Sequence, residues 1–249
     1  MRKLIDYPLS ILFLIYFGLV LVVFHGVQIV CYHTGGNKLH QKSVNVMNWF
    51  LISSWYLTGS TVSFRKQAEL PLGQTIIFIA NHQSMFDIPG IIWHWRKHTP
   101  LFVSKKELAK GIPGISYNLR VGHAALIDRN DKKSAIVEIA RLGKYICENK
   151  FSACIFPEGT RSRTGEMKTF QVGGIATLLK RCPSAIIVPI AIENTAKFNP
   201  KGIFPVRAFT KMHFTSLLPI ATEGRPVEEL VAEAKAQIQD HLDKAVHQS

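Results

Sequence analysis

Residues 74–87 read QTIIFIANHQSMFD. The run 74–80 is short, apolar and rich in isoleucine, which is how a buried strand is written. It stops at the polar residues 81–84, and Asp87 stands ahead of Ile88 and Pro89 as a helix N-cap would. A strand, a turn and a helix start therefore follow one another directly. The same alternation continues outward. Apolar runs at 101–104, 122–128, 151–156, 185–192 and 206–214 are separated by helical stretches. Within 131–149, Ile136, Ile139, Ala140, Gly143 and Ile146 recur at helical spacing, and near the C-terminus Val227, Leu230, Val231, Ala234, Ile238 and Leu242 do the same. This order predicts an α/β domain over residues 67–249: a mixed β-sheet flanked by helices, with the last helix packed on the sheet.

Upstream the pattern differs. Residues 8–31 carry no formal charge and are almost wholly apolar, where about 20 such residues suffice to cross a bilayer core. The run is too long for a signal peptide and no small-residue cleavage site follows it. A second uncharged stretch, 44–64, holds Trp49, Trp55 and Tyr56 among Asn, Ser and Thr, a composition suited to the headgroup boundary. Residues 1–66 are therefore expected to form a membrane-embedded helical pair. Arg2 and Lys3, Lys38 and Lys42, and Arg65 and Lys66 mark every end with positive charge, so a hairpin dipping into one leaflet and a true crossing fit equally.

Lys plus Arg number 30 against 17 Asp plus Glu, a formal net charge of +13. Such a field favours anionic partners: nucleic acid, an anionic membrane surface, or phosphate-bearing substrates. A hydrophobic share of 47% and a mean hydropathy of +0.12 favour the membrane, and no nucleic-acid motif is present. Cys31, Cys147, Cys154 and Cys182 form no CxxC pair and no Cys/His cluster of zinc-site spacing, so no metal is expected. Cys147 and Cys154 read as reduced, buried thiols of a cytosol-facing protein.

The pattern His-x-x-x-x-Asp occurs twice. His123 and Asp128 lie within one strand-like run, where an odd offset points the side chains to opposite faces and separates them by roughly 17 Å. His82 and Asp87 instead span a strand-to-helix turn that can fold them together. A carboxylate bonded to one imidazole nitrogen fixes the tautomer and leaves the other nitrogen to take a proton from an alcohol. Asp87→Asn is expected to be severe through the wrong tautomer, as in a hydrolase triad. The second constellation is FPEGTRS, residues 156–162, again after an apolar run. Arg161 offers a planar fork for phosphate, Gly159 lets backbone approach closely, and Glu158 and Thr160 can hydrogen-bond a polyol.

NHQSMFD followed by FPEGTRS resembles the glycerolipid acyltransferase family, whose members make phosphatidic acid. The segments FVSKKEL, IPG, LIDR and VPIAIEN are similar to that family too, so the resemblance covers roughly residues 67–215. It implies that His82 and Asp87 are catalytic, that the loop of Glu158, Gly159, Thr160 and Arg161 binds the acceptor phosphate, and that Lys105 assists, with Lys106 beside it. It further implies transfer of a fatty-acyl group from an acyl thioester to the sn-2 hydroxyl of lysophosphatidic acid in phospholipid biosynthesis. Glycerol-3-phosphate or another lysophospholipid remains open as acceptor, acyl-CoA and acyl carrier protein both remain open as donor, and no further cofactor is implied. The implied location is a membrane, integral or monotopic, with anionic lipids as partners and the active site facing the cytoplasm, the inner membrane if the chain is bacterial. A non-enzymatic basic membrane-binding protein is the rival class. No Gly-x-Ser-x-Gly elbow is present, so direct attack without an acyl-enzyme is expected, with backbone amides near the two motifs stabilising the oxyanion.

Overall fold

The structure, a computed structural model, describes residues 2–162 and 166–247. It opens with α1 (Arg2–Tyr56), which breaks at Gly36, where φ is 59° and ψ −157°. That left-handed backbone is open to glycine at little cost and lets the helix reverse. The two arms pack antiparallel: Phe24 meets Phe50 at 5.5 Å between ring centroids, Gln28 Nε2 lies 3.1 Å from Met47 Sδ, and Tyr32 meets His40 at 5.9 Å. The hairpin lies along the globular part over its whole length. Its base is tied at Ser10 to Val206, and its tip at Asn37 to His123. The helix therefore doubles back on itself, with both its base and its tip tied to the globular part.

Seven strands form one sheet in the order β1-β7-β6-β2-β5-β3-β4. They are β1 (Thr61–Lys66), β2 (Ile76–Ala80), β3 (Pro100–Lys105), β4 (Ala125–Ile127), β5 (Ser152–Ile155), β6 (Ile186–Glu193) and β7 (Lys211–Ser216). All neighbours are parallel except β6 and β7, so the sheet is mixed, as expected. Around them run α2 (Asp87–His94), α3 (Ile115–Val121), α4 (Lys132–Asn149), α5 (Gly173–Arg181), α6 (Thr195–Phe198) and α7 (Val227–His247). The central strand β2 explains its own apolar run. Ile76, Phe78 and Ala80 join the core under the hairpin and α2, while Ile77 and Ile79 join the core under α4, α5 and α7. With both faces covered, alternation disappears and every residue is apolar.

Three expectations shift. The sheet begins at Thr61, ahead of residue 67, because TVSFRK pairs in parallel with β7. The run at 206–214 forms a strand only from Lys211, since the backbone N–H groups of Val206 and Ala208 are taken by Ser10 Oγ and Asp6 Oδ1 of the hairpin at 3.0 and 2.9 Å. In the run at 122–128, His123 has a left-handed φ of 63° and only Ala125–Ile127 is extended. Helix α4 follows its stripe: Asp131 caps it by accepting from the Ser134 N–H, and Ile139, Gly143 and Ile146 are buried. Ile136 is an exception and faces solvent.

The cysteine reading is corrected in part. Cys147 of α4 and Cys182, just past α5, are joined by a disulfide, whereas Cys154 is a free buried thiol as expected. Only the packing of α4 on α5 makes the two sulfurs neighbours.

Candidate active site

Because β6, β2, β5, β3 and β4 lie side by side and parallel, their carboxyl ends share one edge of the sheet, where α/β folds build sites. The turn after β2 carries His82, the loop after β5 carries residues 156–161, β3 ends in Lys105, and Arg129 follows β4. Two motifs far apart in the chain therefore meet because β2 pairs with β5.

His82 Nδ1 lies 2.8 Å from Asp87 Oδ2. An ionised carboxylate only accepts, so Nδ1 carries the proton and Nε2 is left as the basic nitrogen. Asp87 is fully buried as the first residue of α2. It does not cap that helix. Instead Oδ2 also accepts from the N–H groups of Gln83 and Ser84 at 2.8 and 2.9 Å, and Oδ1 accepts from Thr195 Oγ1 at 2.5 Å. The imidazole stacks on Phe156 at 4.0 Å between centroids, which fixes its plane. His123 and Asp128 do not pair: His123 Nε2 contacts Asn37 Nδ2, and Asp128 accepts from the Asn130 N–H.

A cavity of about 570 Å³ opens against His82. Phe102, Leu108, Ile127, Ile139 and Ile155 supply an apolar wall, while Lys105, Arg129, Arg161, Gly159 and Thr160 lie among its other lining residues. Five of the seven residues singled out from sequence thus line one cavity: His82, Lys105, Gly159, Thr160 and Arg161. Asp87 stands behind His82. Glu158 turns away from the cavity, and its polyol-binding role has no support in this geometry. Its carboxylate accepts from the His82 N–H at 2.8 Å and the Lys168 N–H at 3.1 Å, so it braces the His82 turn against the loop. Burial raises its proton affinity above the ordinary carboxylate value, opposed by the two amides and by the charges of His82 and Lys168. Lys168, whose ammonium donates to Thr160 Oγ1 and the Arg161 carbonyl, pins the same loop. Gly159 supplies a φ of 70° at its turn.

Arg129, in the LIDR segment, has no local signal in the sequence that marks it as a site residue. Partial burial lowers its proton affinity, the Arg161 charge adds to that, and Glu107 opposes it. Two guanidiniums thus share the rim, where an anion would relieve their repulsion. Thr195 and Asn199 were also missed; Asn199 Oδ1 accepts from Ser84 Oγ at 2.8 Å. The amides of His82, Gln83 and Ser84 are committed to Glu158 and Asp87, so the oxyanion donors expected near this motif are not these three.

An imidazole paired to a buried carboxylate, set at an apolar cavity with a guanidinium-lined rim, is an arrangement suited to general-base chemistry on a molecule that is both greasy and anionic. The sequence model of the Acyltransferase family matches residues 61–193, and the chain belongs to that family. It is 31% identical to the 1-acyl-sn-glycerol-3-phosphate acyltransferase of Cocos nucifera over 84% of this chain and 65% of that one. With the alpha enzyme of the same name from Ovis aries it shares 27% identity over 82% of this chain and 68% of that one. The chain thus spans about two thirds of the length of these curated relatives. The crystal structure of the 1-acyl-sn-glycerophosphate (LPA) acyltransferase PlsC from Thermotoga maritima superposes with a TM-score of 0.81 at 23% identity, covering 98% of both chains. That likeness establishes the fold, hairpin included.

Proposed function

We propose that the chain transfers a fatty-acyl group from an acyl thioester to the sn-2 hydroxyl of lysophosphatidic acid, giving phosphatidic acid. The observation that carries this reading is His82, oriented through Nδ1 by Asp87, lining a cavity that is apolar on its wall and doubly guanidinium-bearing among its lining residues. The curated relatives named for the same reaction support it.

In this mechanism the acceptor hydroxyl gives its proton to His82 Nε2 as its oxygen attacks the thioester carbonyl. The tetrahedral intermediate collapses with cleavage of the carbon–sulfur bond, and His82 returns the proton to the departing thiolate. Asp87 stays ionised and stabilises the imidazolium between the two transfers. Arg161 and Arg129 hold the phosphate, Lys105 adds positive charge, and Gly159 and Thr160 shape the loop that meets it. The apolar wall takes hydrocarbon. Helix α1 is long and apolar enough to cross a membrane by length and composition, with a mean hydropathy of 2.4 in its most apolar window. Leu4, Ile11, Ile15, Leu19 and Val22 of its first arm are exposed. As a hairpin lying along the domain, that face would sit in one leaflet of an anionic membrane and keep the site at the lipid surface.

The test is purified full-length protein in detergent, offered lysophosphatidic acid, glycerol-3-phosphate, lysophosphatidylcholine and monoacylglycerol, each with acyl-CoA and with acyl carrier protein, and read by product mass. Phosphatidic acid from lysophosphatidic acid is expected with one donor at least. Turnover confined to glycerol-3-phosphate or to a phosphate-free acceptor would overturn the reading.

A further inference from the structure

The sheet brings one more group to the dyad than either motif contains. Strand β6 is the parallel neighbour of β2 on the side away from β5. Its carboxyl end therefore emerges beside the His82 turn, and the chain enters α6 there with Asn194 in the left-handed region at φ 66°. The first residue of that short helix is Thr195. It is fully buried, and its hydroxyl lies 2.5 Å from Asp87 Oδ1, the carboxylate oxygen that His82 does not use. Gln83 Oε1 is a much longer second acceptor at 3.4 Å, so the hydroxyl proton belongs to Asp87.

We infer that Thr195 is a positioning residue of the reaction, acting through Asp87: its hydroxyl fixes the carboxylate plane and balances the negative charge that orients His82. The inference rests on the general-base role proposed for His82. Oδ2 is held by three N–H donors, from His82, Gln83 and Ser84. Oδ1 has Thr195, and without it would be a buried acceptor with no partner in a place water does not reach. The other titratable groups facing this pair are few. Cys154 of β5 feels the Asp87 charge and is fully buried, and burial first and that charge second hold its thiol neutral, so it adds no competing charge. Glu158 faces His82 from the loop after β5 through the His82 N–H.

The direction of the effect follows from electrostatics. Stripped of its hydroxyl donor, the carboxylate concentrates more charge toward the Nδ1 proton and holds the imidazolium more tightly. The base is then protonated over a wider acid range, and the carboxylate is free to tilt. Thr195 is not itself among the residues lining the cavity, although Gln83 and Ala196 beside it are, so acceptor binding should be largely spared.

The experiment compares full-length wild type, Thr195→Val and Thr195→Ser in one detergent, with melting temperature as a check on folding. In Thr195→Val, kcat for lysophosphatidic acid falls about ten-fold or more with KM within two-fold or so, as for loss of a hydrogen bond to a charged group. The acid limb of its kcat/KM profile moves to higher pH by about half a unit or more. Thr195→Ser, which keeps the hydroxyl, restores rate and profile. Wild-type kinetics in Thr195→Val, a Ser variant as damaged as Val, or a loss expressed mainly in KM would each overturn the inference. A second readout needs no substrate: in 15N-histidine-labelled protein the His82 Nδ1 proton resonance shifts in Thr195→Val and stays in place in Thr195→Ser. Failure of wild type to acylate lysophosphatidic acid would sink the proposed reaction alone, while an unshifted resonance would sink the role of Thr195.

Discussion

Replacing Asp87 with asparagine separates charge from geometry at the dyad, and the structure changes what that replacement should do. An asparagine has one acceptor end and one donor end where the carboxylate has two acceptors. If its oxygen occupies the Oδ2 position it still receives the N–H groups of His82, Gln83 and Ser84, and its NH2 turns toward Thr195 Oγ1, which can accept as readily as it donates. The reverse orientation sets an NH2 against three N–H donors in a fully buried place. Each donor left unpaired costs about 1–3 kcal/mol, so that orientation is excluded. The oxygen therefore stays toward His82, Nδ1 keeps its proton, and the wrong-tautomer loss of about 10⁴-fold known from a hydrolase triad does not arise. What disappears is the negative charge beside the imidazolium. A hydrogen bond to a charged group is worth about 1.5–3 kcal/mol, so kcat should fall about ten- to a hundred-fold. The assay is steady-state acyl transfer to lysophosphatidic acid at saturating donor, with folding checked by melting temperature. A loss of 10⁴-fold or more in a variant with wild-type melting would mean that the amide had reversed and that the donors assigned to Oδ2 are wrong. An unchanged rate would mean that the carboxylate charge plays no part.

Three further outcomes are expected. Arg161→Lys and Arg129→Ala should each lower kcat/KM for a phosphate-bearing lysolipid by about ten-fold, and the double variant by less than the product, since both groups meet one anion; equal losses with monoacylglycerol would make the arginines structural instead. His94, stacked on Phe64 at 4.5 Å, has its pKa lowered from 6.5 to about 4 by burial first and by Lys66 and Arg96 after it. The unfolded chain takes up that proton first as pH falls, so the stability this residue contributes is complete above pH 6.5 and is lost between 6.5 and about 4. His94→Phe keeps the stack and should shift acid unfolding to lower pH by an amount equivalent to about 1 kcal/mol after solvent screening, and an unmoved midpoint would refute it. Finally, alkylation of denaturant-unfolded protein without reductant should modify Cys31 and Cys154 and spare Cys147 and Cys182, and reduction should lower unfolding stability by about 4 kcal/mol for a crosslink spanning 35 residues; four alkylated thiols in unfolded, unreduced protein would remove the disulfide.

The sequence by itself determined the parts of this protein that are local. The apolar run ending at Ala80 had to be a strand covered on both faces, and the five-residue step from His82 to Asp87 across a turn was short enough to write their contact into the spacing. The same holds for the loop at Gly159 and for α4, whose buried stripe and Asp131 cap lie within a few residues of one another. Tertiary structure decided the rest. TVSFRK straddles the end of an uncharged stretch and becomes a strand only because β7 is there to pair with it. Ile136 sits on the apolar stripe of α4, yet it faces solvent. Asp6 and Ser10 look like polar residues at the head of a membrane segment, and they take backbone donors from a loop some 200 residues away. Thr195 and Arg129 carry no local mark of their place beside the dyad and the cavity rim. Periodicity and turn chemistry act between residues close in the chain, whereas the order of strands in the sheet brings distant chain ends to one edge, and that order is fixed by the packing of all the elements together.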